Sequence, residues 1–308
     1  MRTGLLAAVG AGLLWGLAFV IPEQLNTVSA AELTAGRYLS YGLLSLALVL
    51  LMGADQRATL DRSAWTVALG FAGTGNIGYY LLLVVAVRHA GAPLAALIIG
   101  TLPLTVAVVG GLRDQRLRLR RLAVPLTFTA VGLLLVNAAA FTHRGAPGTG
   151  VPGAGGTGQF AIGVLAAVGG LACWTWYAVA NADFLARRPE VAATTWASAV
   201  GVGTLLLAVL TTPLVLAGGR STIRAHLLAF VAASLVLGLV VSWLATVLWN
   251  RATARLPTVL AGQLIVVETI SGSTYSFVAR SALPDPLTLA GFVLVVLGVI
   301  GAMRRVRG

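Results

Sequence analysis

The chain has no lysine: all 21 of its basic residues are arginine, set against nine acidic residues, three histidines and one cysteine in 308 residues. Each shortage excludes something. A single thiol builds neither a disulfide within the chain nor a multi-thiolate metal site, and Cys173 lies inside an apolar run beside Trp174. The histidines, His89, His143 and His226, fall at the ends of apolar segments or between them. No paired carboxylates and no nucleophile with its base occur within one, so an enzyme active site is not expected, nor a metal or cofactor. Charged residues make up 10% of the chain. The net charge of +12 does not mark a nucleic-acid partner, because the arginines sit in short runs between apolar segments, as topology signals do.

What is abundant is apolar. Hydrophobic residues are 58% of the chain and the mean hydropathy is +0.93, a membrane composition. The apolar runs predict ten crossings, at Gly4–Pro22, Ala31–Gly53, Ser63–Val87, Pro93–Leu112, Leu122–Phe141, Phe160–Leu185, Ala192–Ala217, Leu227–Asn250, Pro257–Ala279 and Pro286–Met303. Each is long enough, at about 1.5 Å per residue, for a hydrocarbon core of roughly 30 Å. Val28-Ser29-Ala30 offers a small-residue cleavage site. The segment before it carries only Arg2 as an n-region, however, and it has a partner later in the chain, so it is read as a helix.

That partner reveals a duplication. Ala7-Ala8-Val9-Gly10 and Trp15 recur 159 residues later as Ala166-Ala167-Val168-Gly169 and Trp174. The same offset sets Arg37 opposite Trp196 and Gly42 opposite Gly201. Further on the offset is 166: Ala86 falls opposite Ala252, Leu94-Ala95 opposite Leu260-Ala261, Ile99 opposite Ile265 and Gly132 opposite Gly298. A fixed internal period constrains a fold more than any local motif. The expected fold class is therefore an all-α integral membrane protein: residues 4–141 form one five-helix repeat, 142–159 a Gly/Pro-rich extracytoplasmic linker, and 160–303 a second repeat. Five crossings per copy is odd, so the second copy enters the bilayer from the opposite side, a construction used by secondary transporters with a site near the midplane.

Arginine counting sets the orientation. Cytoplasmic segments would hold Arg2, Arg57 and Arg62, the five between Arg113 and Arg121, Arg187 and Arg188, Arg251 and Arg255, and Arg304, Arg305 and Arg307. The other side holds Arg88, Arg144, Arg220, Arg224 and Arg280. This bias puts both termini in the cytoplasm, with the chain in the cytoplasmic membrane. The connection after His143 is glycine-rich coil without the lysine of a phosphate-binding loop.

Chemistry is then sought among polar and aromatic groups inside the crossings. Asn76, Tyr79, Tyr80 and Leu83 share one face at i, i+3, i+4 and i+7, and their counterparts are Ser242, Ala245, Thr246 and Trp249. With Trp15 and Trp174 these predict an amphipathic cavity with aromatic walls: Trp15, Asn76, Tyr79, Tyr80, Trp174, Ser242, Thr246 and Trp249. Trp65, near a helix start, reads as an interface anchor. Glu268, about eleven residues into the ninth crossing, is the candidate for proton coupling, and a protonated Glu bonded to a neighbouring helix is its plainer role. Arg37 is a candidate charge partner, for Glu32 or Glu23 or for substrate. Asp183, near the inner end of the sixth crossing with Asn181 two residues before it, reads as a helix-end solvation group.

The residues that now stand out resemble those of the drug/metabolite transporter superfamily, EamA type. They are Trp15-Gly16, Arg37, Pro103, the run Leu248-Trp249-Asn250-Arg251-Ala252, Glu268, and Gly291 with Gly298. The resemblance runs from Leu5 to Met303. It implies secondary export of small metabolites through a central cavity, with no enzyme activity. Family members often carry Glu after the fourth and ninth helices and Pro after the Glu of the ninth, where this chain has Arg113-Asp114, Ala279-Arg280 and Thr269. Such losses occur in the branch that exports aromatic amino acids, which an aromatic cavity suits. Export of drugs or cationic dyes, and metabolite uptake, are the alternatives within the same fold. A receptor or structural membrane protein has no need of an inverted duplication.

Overall fold

The computed structural model describes residues 1–25, 28–113, 119–143, 156–216 and 223–307. Most of the expected linker, 144–155, lies outside these, as do Asp114 and the 217–222 connection. Among the described residues the regular structure is helical, with no strand.

The elements in order are α1 (Arg2–Gln24), α2 (Ala30–Leu51), α3 (Arg62–Ala90), α4a (Ala92–Ile99) and α4b (Leu102–Arg113), α5 (Leu119–His143), α6 (Gly156–Arg187), α7 (Ala193–Leu216), α8 (Leu227–Thr253), α9a (Thr258–Leu264) and α9b (Val266–Ala279), and α10 (Pro286–Arg307). A short helix, Ala54–Ala58, follows α2. Among the described residues nine stretches are long and apolar enough to cross a membrane. The expected ninth crossing is not one of them, because it is divided at Ile265 into pieces of 7 and 14 residues.

Helix starts follow local chemistry. Ser29 and Glu32 form a capping box, the Ser29 hydroxyl accepting from the Glu32 amide and the Glu32 carboxylate from the Ser29 amide. Asp61 caps α3 through the Ala64 amide at 2.7 Å, and Asp285 caps α10 through the amides of Leu287 and Thr288. The interruptions are more telling. In α3 a π turn spans Ala72–Ile77, and in α8 one spans Val236–Leu244. Adding 166 to 72–77 gives 238–243, inside the second π turn. The fourth crossing breaks after Ile99, because Pro103 has no N–H to donate to the carbonyl four residues earlier. The ninth breaks at Ile265, the counterpart of Ile99, although Thr269 stands where Pro103 has its counterpart.

The chain divides into two compact units. The first comprises residues 1–77, 181–256 and 267–281. In it α2 lies along α7, where a Cβ on Gly201 would run into Ser45 and one on Gly42 into Leu205. Likewise α1 lies along α8, with Gly4 against Arg255 and Leu256 and Gly10 against Leu248. Close approach through small residues is how helices associate where lipid removes the hydrophobic drive. Gly12 and Gly16 bring α1 against Val267 and Ser271 of α9b, and the Ser271 hydroxyl donates to the Gly12 carbonyl at 3.0 Å.

The second unit comprises residues 78–180, 257–266 and 282–308. Here α5 meets α10, with a Cβ at Gly132 falling 2.6 Å from the Gly291 carbonyl oxygen and Gly298 facing Thr129 and Pro125. Within this unit α6 lies along the second part of α3, with Gly163 against His89 and Ala90 and Gly169 against Leu82. Adding 159 on α1 and subtracting 166 on α8 converts Gly4–Leu256 and Gly10–Leu248 into these last contacts, Gly163–Ala90 and Gly169–Leu82. The pair Gly132–Val295 becomes Gly298–Thr129 in the same way.

Candidate functional site

In the first unit the aromatic and charged candidates are held by four helices, α1, α2, α8 and α9b, with Ser242 in the π turn of α8. Trp15 of α1 lies against Trp249 of α8, ring centroids 5.5 Å apart and planes tilted by 49°. Trp249 is 1% exposed, so its indole is packed inside the unit, whereas Trp15 is half-buried. Ser242, in the π turn of α8, accepts a hydrogen bond from Nε of Arg37 at 2.7 Å and donates to the Leu237 carbonyl at 2.9 Å. A carbonyl five residues back is the one a π turn presents. The Arg37 guanidinium carbon is 5.5 Å from the centre of the Tyr38 ring. Thr246 is half-buried one turn beyond Ser242.

Expected pairing of Arg37 with Glu32 is corrected by these contacts. Glu32 is buried in the α2 capping box, and Arg37 makes no ion pair among the described residues. A helix start leaves orphan amides, and Glu32 serves those first. The Glu23 side chain lies outside what is described. Glu268, in the first turn of α9b, is half-buried. Its carboxylate makes no hydrogen bond among the described residues; only its backbone carbonyl is engaged, by the Ser271 hydroxyl.

Asn76 sits in the π turn of α3, with its amide donating to the Thr204 hydroxyl of α7 at 2.8 Å. The single face expected for Asn76, Tyr79, Tyr80 and Leu83 is thus interrupted: a 3.6-residue register does not run unchanged through a π turn, and the other three lie beyond it in the second unit. In that unit Tyr79 lies near Gly170 of α6, one turn before Trp174, whose ring meets Tyr177 edge-on at 5.8 Å. Tyr80 is half-buried. The hydroxyls of Thr105 on α4b and Thr175 on α6 are 2.9 Å apart.

Sequence reasoning missed one polar chain, in the first unit. Trp196, fully buried, stacks on Phe184 at 4.0 Å and donates from its indole to Asn181 at 2.7 Å, and Asn181 donates to Asn250 at 3.0 Å. Asn181, two residues before Asp183 near the end of its crossing, is wholly buried. Its signal was the pairing of two asparagines with a tryptophan, on three helices that no sequence pattern brings together. Beside it Arg188 bridges Asp61 at 3.2 Å and Glu190 at 2.6 Å. The Asp61 carboxyl is held below its ordinary value by the Ala64 amide first and by Arg188 second. That of Glu190 is lowered by its own backbone N–H first and then by Arg188.

Residues 2–138 match the EamA-like transporter family. The inner membrane protein YtfF of Escherichia coli (strain K12) is 34% identical over 320 aligned positions, covering 99% of this chain and 96% of that protein. The chain belongs to the EamA-like transporter family. A solved crystal structure superposes on the transporter with a TM-score of 0.76 at 24% identity, covering the whole of both chains, a likeness of fold. The transporter is thus a multi-pass membrane protein of the drug/metabolite type, acting on a small molecule across a bilayer.

Proposed function

We propose that this transporter exports small metabolites, neutral or aromatic amino acids foremost, across the cytoplasmic membrane by alternating access. Its ten crossings, counting the broken α9, form two inverted five-helix repeats joined by the 142–159 linker, with both termini in the cytoplasm. The observation that carries this reading is the matched set of interruptions: breaks at Ile99 and Ile265, 166 residues apart, and a π turn in α3 that falls inside the one in α8 at the same offset. Non-helical backbone at membrane depth persists where it is buried in protein or lines a water-filled path, and discontinuous helices in corresponding places of two halves mark the substrate site of secondary transporters. The repeat-related glycine contacts support the duplication. The bias of arginines supports the orientation.

The amino-acid preference is supported by aromatic groups, Trp15 with Trp249 in one unit and, in the other, Trp174 with Tyr177 and Tyr79 near Gly170. An aromatic pair holds a ring by roughly 0.5 to 1.5 kcal/mol beyond area burial, which a small polar solute does not gain. Glu268 is the residue through which a proton gradient would act in this scheme, since an ionisable group in a crossing has functional use as its main reason to persist. Counterflow in proteoliposomes, with a panel of labelled amino acids, sugars and cationic dyes, tests the reading. Aromatic amino acids are expected to exchange fastest, and Trp15→Ala or Trp174→Ala to slow them more than threonine. Exchange of dyes alone would make the protein a drug exporter, and exchange of sugars alone would remove the amino-acid assignment.

A further inference from the structure

The two π turns belong to helices far apart in the chain, yet both lie within the first unit and the same two helices hold them. On α2, Arg37 donates from Nε to Ser242 in the turn of α8 at 2.7 Å, and its neighbour Tyr38 donates from its hydroxyl to the Asn76 carbonyl in the turn of α3 at 3.3 Å. On α7, Thr204 accepts from the Asn76 side-chain amide at 2.8 Å, and Ser198 accepts from the Trp243 indole, in the α8 turn, at 3.1 Å. Each turn is thus bonded both from α2 and from α7. Consecutive residues of a helix point about 100° apart, which is how Arg37 and Tyr38 reach different partners. The holding pair is itself tight. The Tyr41 hydroxyl donates to the Ala197 carbonyl at 2.8 Å, and Gly42 and Gly201 bring the two backbones together at Leu205 and Ser45. Ser198 and Thr204 are wholly buried.

We propose that α2 and α7 couple the two π turns into one switch, so that both turns stand together or relax together. This goes beyond the functional reading above, which needs the turns but not their coupling. A π turn is rare within a helix and persists where surrounding contacts over-determine it. Relaxation of one to regular α-helix turns the residues that follow by about 100° around the axis, one residue's share of a turn. In α8 those residues include Thr246 and Trp249, and in α3 Tyr79 and Tyr80. Breaking a bond to one turn frees α2 or α7 at that point, and the freed helix is the one that carries a bond to the other turn. A shared element with two arrangements, biased from both sites, is the physical basis of coupling between them. One step then re-faces candidate groups on both helices.

Amide hydrogen exchange of the purified protein in detergent, followed by mass spectrometry over 72–77 and 236–244, tests the coupling. It involves no solute, so its failure and that of the functional reading are separate results. Thr204→Val removes an acceptor from the α3 turn, and Ser198→Ala removes one from the α8 turn. The two positions lie six residues apart on α7, about 9 Å along its axis, and unconnected sites at such a distance act independently. With coupling, each variant is expected to speed exchange in both windows by roughly threefold to tenfold, the loss of one hydrogen bond. Tyr38→Phe keeps the ring and loses the hydroxyl that reaches the Asn76 carbonyl. It should also speed both windows, and it decides the matter if the two α7 variants do not fold. Thr211→Val is the control: its hydroxyl bonds the Leu207 carbonyl of α7 at 2.8 Å, and its loss should leave both windows at the parental rates. Acceleration confined to a variant's own turn, acceleration in neither window, or equal acceleration by Thr211→Val overturns the coupling.

Discussion

Arg188 shows how little a surface charge decides alone and how much its neighbours decide for it. It joins Asp61 at the α3 cap to Glu190 and donates to the Thr59 carbonyl at 3.2 Å, so one side chain ties the segment before α3 to the segment before α7. Both carboxyls are held below their ordinary values. A depressed carboxylate contributes stability that is present above its unfolded value and lost as pH falls through its folded value. Thermal unfolding in detergent should therefore show Arg188→Gln less stable than the parent at neutral pH. The gap should close as pH falls below the ordinary carboxylate range of about 4. A gap that persists at low pH would assign the loss to the packing of Arg188 over Phe184. The effect is small, because exposed pairs contribute little. Among candidate site residues, Trp15, Glu268 and Arg37 were legible by type, since indoles and charges stand out in an apolar run. The hydrogen bond of Arg37 to Ser242 was not: 205 residues separate them.

At the scale of elements, glycine at a helix contact and glycine facing outward are chemically alike and physically opposite. A Cβ at Gly132 would lie 2.6 Å from the Gly291 carbonyl oxygen, backbone that cannot step aside, whereas one at Gly70 meets nothing within 4 Å. Gly132→Ala should cost about 1 to 3 kcal/mol by overpacking α5 against α10. Gly70→Ala should be neutral or stabilising by up to about 1 kcal/mol, from helix propensity. Detergent-based unfolding of the two variants measures the difference, and equal effects would mean that α5 and α10 do not meet at Gly132. Helix ends were legible to within a few residues, because capping and proline act locally. The break at Ile99, in a crossing expected to run from Pro93 to Leu112, has a local cause in Pro103. The one at Ile265 carries no such local mark, and Gly262 beside it packs against the Ala107 backbone, a Cβ there falling 2.7 Å from the Ala107 nitrogen; a tertiary contact stands where a proline otherwise would.

For the whole molecule, the proposed inverted duplication makes a prediction about sides. With Cys173 replaced by Ala, a single cysteine at Leu283, 91% exposed in the connection between α9b and α10, should react with a membrane-impermeant thiol reagent added outside intact cells. Cysteines at Asp55 and Arg305 should react only after permeabilisation. Labelling of all three from one side would end the inverted reading and, with it, the matched-interruption argument for the site.

Composition by itself determined that the chain lives in a bilayer, because 58% hydrophobic residues with 10% charged leave no other solvent. The offsets of 159 and 166 by themselves set which helices correspond in the proposed duplication, because a duplication writes itself into residue order. The packing partners of those helices, α1 with α8, α2 with α7 and α5 with α10, were decided only in three dimensions. So were the burial of Trp249 and the closure of the Asn181–Trp196–Asn250 chain. The physical reason is common to all three: within a membrane apolar side chains look alike to lipid and to protein, so their pattern says how long a helix is but not what it touches. Close approach at a glycine, and a hydrogen bond that no water can replace, make that choice, and both depend on residues far apart in the chain.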